Sequence, residues 1–230
     1  MRVAIIPARG GSKRIPRKNV KPFAKRPMIA WTVEAARAAR ALTRAIVSSD
    51  DAEILACARE AGAETPFVRP ADISDDHATT VDVIAHALRW LEDDGQPATL
   101  GCCIYATSPM LTAEDLRAGL DLISGSELDY VISATRYSYP IQRALTLDEN
   151  QRVGMAQPEY IHTRSQDLPP RYHDAALFYW GTAGSWRQAK PVFTARTAAV
   201  LIPEHRCQDI DTPDDWIAAE LKFAALRGSR

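Results

Sequence analysis

The sequence predicts an α/β fold of three layers, with helices on both faces of a mostly parallel sheet, and three observations predict it. Short apolar runs suited to buried strands alternate with helical stretches that are apolar on one face, the pattern of right-handed β-α-β crossovers. The alternation runs from Val3 to Thr135 and resumes near Ala175. Between them the helical period is absent and turn residues are frequent, so roughly residues 136–172 read as a small β excursion. At 230 residues the chain suits one substantial core, and residues 1–230 are read as a single unit.

Val3–Ile6 is continuously apolar and ends at Pro7, as a strand buried on both faces does. After a loop, Pro27 suits a helix start, and Met28, Ile29, Thr32, Val33, Ala36 and Ala39 recur at helical spacing. Residues 45–49 read as a second strand, 51–61 as a helix closed by Gly62, and 64–68 as a third strand. Val81, Ile84, Ala87, Leu88 and Leu91 share one face of the next helix. A strand over 101–105 follows, then a helix over 113–123 capped by Thr112, then a strand over 129–135. Inside the excursion 144–147 and 152–155 are β-like. Strands over 175–180 and 198–202 precede a last helix that starts at Pro213 with Thr212 as its cap.

With 28 basic and 29 acidic residues the net charge is −1, so nothing draws the chain as a whole to nucleic acid or to an anionic membrane. Cys57, Cys102, Cys103 and Cys207 fall at neither redox nor zinc spacing, which points to a reduced, cytoplasmic setting. No run approaches the ~20 apolar residues of a membrane span, and the N-terminus lacks the pattern of a signal peptide. His77, His86 and His205 read as surface or capping residues.

Ligands of an open parallel sheet bind beyond the carboxyl ends of its strands. After the first strand come Arg9, Gly10, Gly11, Ser12 and Lys13, then Arg14, Arg17, Lys18 and Asn19. Two glycines let the backbone approach an anion, and the cations neutralise a triphosphate. A Walker loop is excluded by the spacing. A dinucleotide fingerprint is excluded because Pro16 and Pro22 keep the loop extended instead of opening it into a helix. Solvated surface is the ordinary reading of a charge run, but the place after strand one and the Gly-Gly pair favour phosphate binding.

Near the C-terminus Asp209 and Asp211 lie two residues apart, so in an extended segment both face one side, an arrangement suited to Mg²⁺. Helix capping at Asp211-Thr212-Pro213 is the competing explanation. Arg69, Thr79 and Thr80 flank a polar helix entry that could meet a base or ribose, with capping again the alternative. Tyr105, Thr107 and Ser108 end a strand at the expected rim. Arg164, Gln166, His173 and Asp174, together with Arg171, form a polar set fit for a carboxylated polyhydroxy substrate, with an arginine to grip the carboxylate.

The run from Ile5 to Asn19, with Arg69-Pro70, Ala106-Thr107-Ser108-Pro109 and Asp209-Ile210-Asp211-Thr212 in the same order, resembles the signature of the CMP-sialate synthetases (acylneuraminate cytidylyltransferases) across nearly the whole chain. Within that family the likeness is strongest to the pseudaminic acid branch, through 102–107, 139–144, 164–168 and 172–175. Tyr105-Ala106, Gln142-Arg143 and Asp174-Ala175 stand where sialate enzymes usually carry Gln-Pro, a lysine after the turn and Asn-Gly. All three departures are sugar-facing.

The resemblance implies a nucleotidyltransferase fold that joins CTP to a nine-carbon sugar acid with Mg²⁺, releasing pyrophosphate, commonly as a homodimer. It implies that Arg9, Lys13 and Lys18 hold phosphates with help from Gly10, Gly11, Ser12 and Asn19, and that Asp209 and Asp211 anchor the metal. Tyr105, Thr107, Ser108, Gln142, Arg143, Arg164, Gln166, His173 and Asp174 are then the candidates for sugar contact. CMP-sialic or CMP-legionaminic acid synthesis, and a nucleotide-binding protein without turnover, are the competing expectations.

Overall fold

The computed structural model describes residues 1–228. In chain order the main elements are β1 (Arg2–Pro7), β2 (Pro22–Phe23), β3 (Arg26–Pro27), α1 (Met28–Ala38), β4 (Arg44–Ser48), α2 (Ala52–Glu60), α3 (Thr80–Asp93) and β5 (Leu100–Ile104). There follow α4 (Ala113–Ile123), β6 (Tyr130–Arg136), β7 (Leu145–Leu147), β8 (Val153–Met155), β9 (Tyr172–Thr182), α5 (Ala183–Arg187), β10 (Thr197–Leu201) and α6 (Pro213–Gly228). Six strands form the central sheet in the order β10-β6-β9-β5-β1-β4.

β1 pairs in parallel with β4 and β5, and β10 with β6, whereas β9 runs antiparallel to both β5 and β6. The sheet is thus mostly parallel, with its one reversed strand in the middle. Val3, Ala4, Ile5 and Ile6 of β1 are fully buried, which matches their unbroken apolar run. On one face Ile29, Val33, Ile54, Leu116 and Leu120 of α1, α2 and α4 pack on the sheet, and on the other Ile84, Leu88, Leu91 and Trp186 of α3 and α5 do.

A third cluster lies beside the sheet, where Trp216 and Phe223 of α6 meet Phe23 of the β2-β3 hairpin edge-on at 5.4 and 5.2 Å. Ile210, just before α6, is fully buried in this cluster with Met110. α6 thereby fixes the segment that carries Asp209 and Asp211.

The expected strand over 64–68 is absent. Only Glu64 makes a parallel bridge, to Ile46, and Val68 is exposed. Pro66 and Pro70 remove the amide donors that a ladder needs, so the segment passes the sheet edge as a loop. His86 also departs from expectation. It is half-buried on α3, its ring edge-on to Phe67 at 4.8 Å, and burial pulls its imidazole pKa down.

Candidate functional site

Two adjacent pockets open at the carboxyl ends of β1, β5 and β6. The smaller, about 370 Å³, is lined by the basic loop (Arg9, Lys13, Lys18 among others), by Tyr105 and Thr107 after β5, by Asp174 and Tyr179 of β9, and by Asp209 and Asp211. The larger, about 830 Å³, is lined by Arg136, His173, His205, Gln208 and Lys222, and again by Asp209 and Asp211. The two carboxylates therefore stand on the wall the pockets share. Both volumes fall in the range of small-molecule sites.

The burial of Ile210 decides how these carboxylates point. In an extended segment alternate residues face opposite sides, so an inward Ile210 turns Asp209 and Asp211 together toward the pockets. The capping alternative falls to other residues: Thr212 Oγ1 accepts from the Asp215 amide at 3.2 Å, and Asp215 accepts from the Thr212 amide at 2.8 Å. The Asp211 side chain takes no part in that cap. It pairs instead with Arg14 at 2.7 Å and Lys18 at 3.3 Å.

Asp209 is open to solvent on one side, yet crowding by the protein and the neighbouring Asp211 charge raise its carboxyl above the ordinary range. A pair of oxygen-donor carboxylates that repel one another, facing a pocket lined by cations fit for phosphate, suits a divalent cation held jointly by protein and substrate. Among the described residues no group of three or more His, Cys, Asp or Glu could hold a metal by itself.

The basic loop is braced from several directions. Asn19 Nδ2 donates to the Arg9 carbonyl at 3.0 Å, and Arg17, at a positive φ of 57°, ties the loop to Asp51 and Glu53 at the start of α2. The Gly10 amide is already engaged by Asp50 at 3.0 Å, and a Cβ on Gly10 would come within 2.8 Å of Asp51. Gly10 therefore serves close packing, while the space around Gly11 is open. Arg9 and Lys13 both pair with Asp76 from the loop before α3, and these cations hold the Asp76 carboxyl below the usual range.

Several sequence candidates lie elsewhere. Arg69 is buried, and its guanidinium bonds the Ser48 carbonyl and hydroxyl at the end of β4. Thr79 forms the capping box of α3 with Asp82, whereas Thr80 reaches the Tyr105 hydroxyl. Ser108 is buried beneath the rim, its amide bonded to Thr32. Gln142 is buried and donates to the Pro169 carbonyl at 2.9 Å. Arg143 reaches Ser165, Arg164 pairs with Asp167 at 2.7 Å, and Gln166 is exposed beside them. None of these lines either pocket, apart from what Thr80 does through Tyr105.

Sequence reasoning missed Lys222. Its ammonium enters the larger pocket and donates to the Cys207 carbonyl at 2.7 Å and to Gln208 at 3.0 Å. The available signal is helical spacing, since Lys222 lies seven residues after Asp215 on the same face of α6. No helix is long and apolar enough to cross a membrane.

The comparisons with known proteins agree with this geometry. Residues 3–225 match the cytidylyltransferase family. The chain is 38% identical over 221 residues to a pseudaminic acid cytidylyltransferase of Campylobacter jejuni, covering 96% of this chain and 95% of that one. It is 28% identical to an N-acylneuraminate cytidylyltransferase of Streptococcus agalactiae, covering 94% of this chain and 51% of the relative. In fold it is similar to a CMP:2-keto-3-deoxy-manno-octonic acid synthetase solved with CTP, with a TM-score of 0.72, 16% identity and coverage of 98% and 99% of the two chains. With a glycine loop facing paired carboxylates across a two-part pocket, and a family match over nearly its whole length, the chain belongs to the cytidylyltransferase family.

Proposed function

We propose that the protein is a cytidylyltransferase that joins CTP to pseudaminic acid, a nine-carbon sugar acid, giving the CMP-sugar and pyrophosphate. The carrying observation is the placement of Asp209 and Asp211 on the wall between two pockets, with Arg9, Lys13 and Lys18 across the smaller one. The triphosphate takes the basic-loop side of the smaller pocket, and the sugar acid meets it from the side of Tyr105 and Asp174, at the wall that carries Asp209 and Asp211. The whole-length match to a pseudaminic acid enzyme supports this sugar over sialic or legionaminic acid.

In the reaction the anomeric oxygen of the sugar bonds to the α-phosphorus of CTP and the bond to the pyrophosphate oxygen breaks, while the hydroxyl proton passes to solvent. Arg9, Lys13 and Lys18 hold the triphosphate, and Ser12 and Asn19 order the loop around it. Such positioning and charge neutralisation supply most of what this chemistry needs from a protein. Asp209 and Asp211 would hold Mg²⁺, which when bound polarises the α-phosphate and lowers the pKa of the attacking hydroxyl. Arg14 and Lys18 pair with Asp211 and hold its side chain toward the pocket. Tyr105, Thr107, His173 and Asp174 offer hydrogen-bonding groups to the sugar side.

The same reading takes the chain as one nucleotidyltransferase unit acting in the cytoplasm as a homodimer, with residues 136–172 at the interface. Tyr139, Leu145, Leu147 and Val153 in that stretch are large apolar side chains left exposed, which supports a covered face.

The test is pyrophosphate release from CTP with pseudaminic, sialic and legionaminic acids offered in turn. Turnover is expected with pseudaminic acid and at least tenfold lower kcat/KM with the others. Asp211→Ala is expected to abolish turnover while retaining most CTP affinity. Equal rates with all three acids would overturn the sugar assignment, and an active Asp211→Ala variant the metal one.

A further inference from the structure

The β6-β9 pair is irregular at one place, and the irregularity sits at the smaller pocket. Tyr179 stands opposite Ile132 and Asp174 opposite Ala134, so four residues of β9 span the space of the single Ser133 on β6. The fully buried Ser133 hydroxyl compensates, accepting from the Leu177 and Phe178 amides at 3.1 and 3.2 Å. Ala176 adopts a positive φ of 50°, uncommon for a residue with a Cβ, and its amide donates to Asp174 Oδ1 at 2.8 Å.

This distortion brings Tyr179 back onto Asp174, five residues earlier in the same strand, and the Tyr179 hydroxyl donates to Asp174 Oδ2. Tyr105, from the end of β5, meets Tyr179 edge-on with ring centroids 5.6 Å apart and interacts with the hydroxyls of both Tyr179 and Thr80. A phenol has one proton to give, and Tyr179 gives it to Asp174. Tyr179 is thus the donor and Asp174 the acceptor, with Tyr105 and Thr80 packed behind the Tyr179 ring. Burial raises both phenols, Tyr105 to about 12 and Tyr179 higher still, so they stay protonated donors at working pH.

With both oxygens of its carboxylate accepting from the protein, Asp174 has a fixed orientation, suited to accept hydrogen bonds from a neutral substrate. Its remaining lone pairs have access to the smaller pocket, which the carboxylate lines with Tyr105 and Tyr179. We propose that Tyr179, backed by Tyr105 and Thr80, is a positioning residue that holds Asp174 as a specificity-determining acceptor for hydroxyl or amide N–H groups of the sugar acid. This rests on the reading above that Asp174 faces the sugar.

The test is steady-state kinetics of Tyr179→Phe, Tyr105→Phe and Asp174→Ala, with pyrophosphate release as readout and the two substrates varied separately. Tyr179→Phe is expected to raise KM for the sugar acid about tenfold, leaving KM for CTP within about twofold and kcat within about threefold. Tyr105→Phe is expected to give a smaller rise of the same kind, and Asp174→Ala the largest. Thermal melting confirms that each variant is folded. If Asp174→Ala leaves the sugar KM unchanged, the placement of the sugar at Asp174 fails. If Asp174→Ala raises it but a folded Tyr179→Phe does not, or raises both KM values alike, the positioning role fails. If Tyr179→Phe does not fold, Tyr105→Phe decides alone, and an unchanged sugar KM in that variant overturns the positioning role.

Discussion

Asp115 sits in the first turn of α4, nearly inaccessible to solvent, and takes both arms of the Arg206 guanidinium at 2.6 and 2.8 Å. Burial alone would push its carboxyl up, but the hydrogen bonds from Arg206 and Thr112 outweigh burial and hold it below the ordinary range. Arg206 begins the segment that leads to Asp209, so the pair anchors the pocket wall from behind. Asp115→Asn removes the charge while keeping the shape, and strands Arg206 half-buried. It is expected to cost about 2 kcal/mol at pH 7 in urea denaturation. A carboxyl lowered on folding stabilises fully above its unfolded value near 3.9 and loses that contribution as pH falls through its folded value. The gap between wild type and variant should therefore narrow in urea titrations below about pH 4, and a gap constant down to pH 2 would contradict the assignment.

At the scale of elements, Gly119 shows propensity and packing pulling in opposite directions. A glycine inside α4 costs about 1 kcal/mol against alanine on helix propensity alone. A Cβ there, however, would meet Trp180 Cδ1 at 2.5 Å, and Trp180 cannot easily withdraw because its indole N–H is bonded to the Leu116 carbonyl at 3.1 Å. Overpacking wins, and Gly119→Ala is expected to lower stability by about 1–2 kcal/mol, read as a lower melting temperature. A stabilised variant would show that α4 can shift off the sheet.

What the sequence could reveal of these elements follows the same division between local and non-local causes. Thr112 and Thr212 announce helix starts because capping is a contact between residues three apart. Asp209 and Asp211 are legible as a pair because strand period two is local, though only the burial of Ile210 against Phe23 and Met110 settles which way they face. The partners of Arg69 and Gln142 were hidden for the opposite reason: a polar side chain in a loop looks free until the carbonyl it satisfies is known, and Ser48 and Pro169 lie 21 and 27 residues away. Lys222 stayed hidden among the charged residues of an ordinary helix. The reversal of β9 and its bulge have no local signature either, since both depend on which strands flank it.

For the molecule as a whole, β7 and β8 pair with one another in a two-stranded sheet apart from the central one. An isolated hairpin of that size is marginal in water. Leu145, Leu147 and Val153 are each more than three-fifths exposed on it. Covering by a second copy would supply the missing burial. Leu145→Asp with Leu147→Asp is therefore expected to convert a dimer to a monomer in light scattering, and a wild-type monomer at micromolar concentration would exclude this route.

The central position of β9 also sets an order on the birth of the protein. β5 and β6 are 25 residues apart in the chain but never touch as neighbours, because β9 must enter between them. As the polypeptide leaves the ribosome, β4, β1 and β5 can assemble early, yet the apolar strand Leu100–Ile104 keeps an unpaired edge until residue 182 has emerged. Throughout that interval the half-built sheet offers a sticky border to any other extended chain. The strand that brings Asp174 and Tyr179 to the smaller pocket is thus also the one that closes this window, so the nascent chain gains part of that pocket wall and loses its hazard in a single docking event.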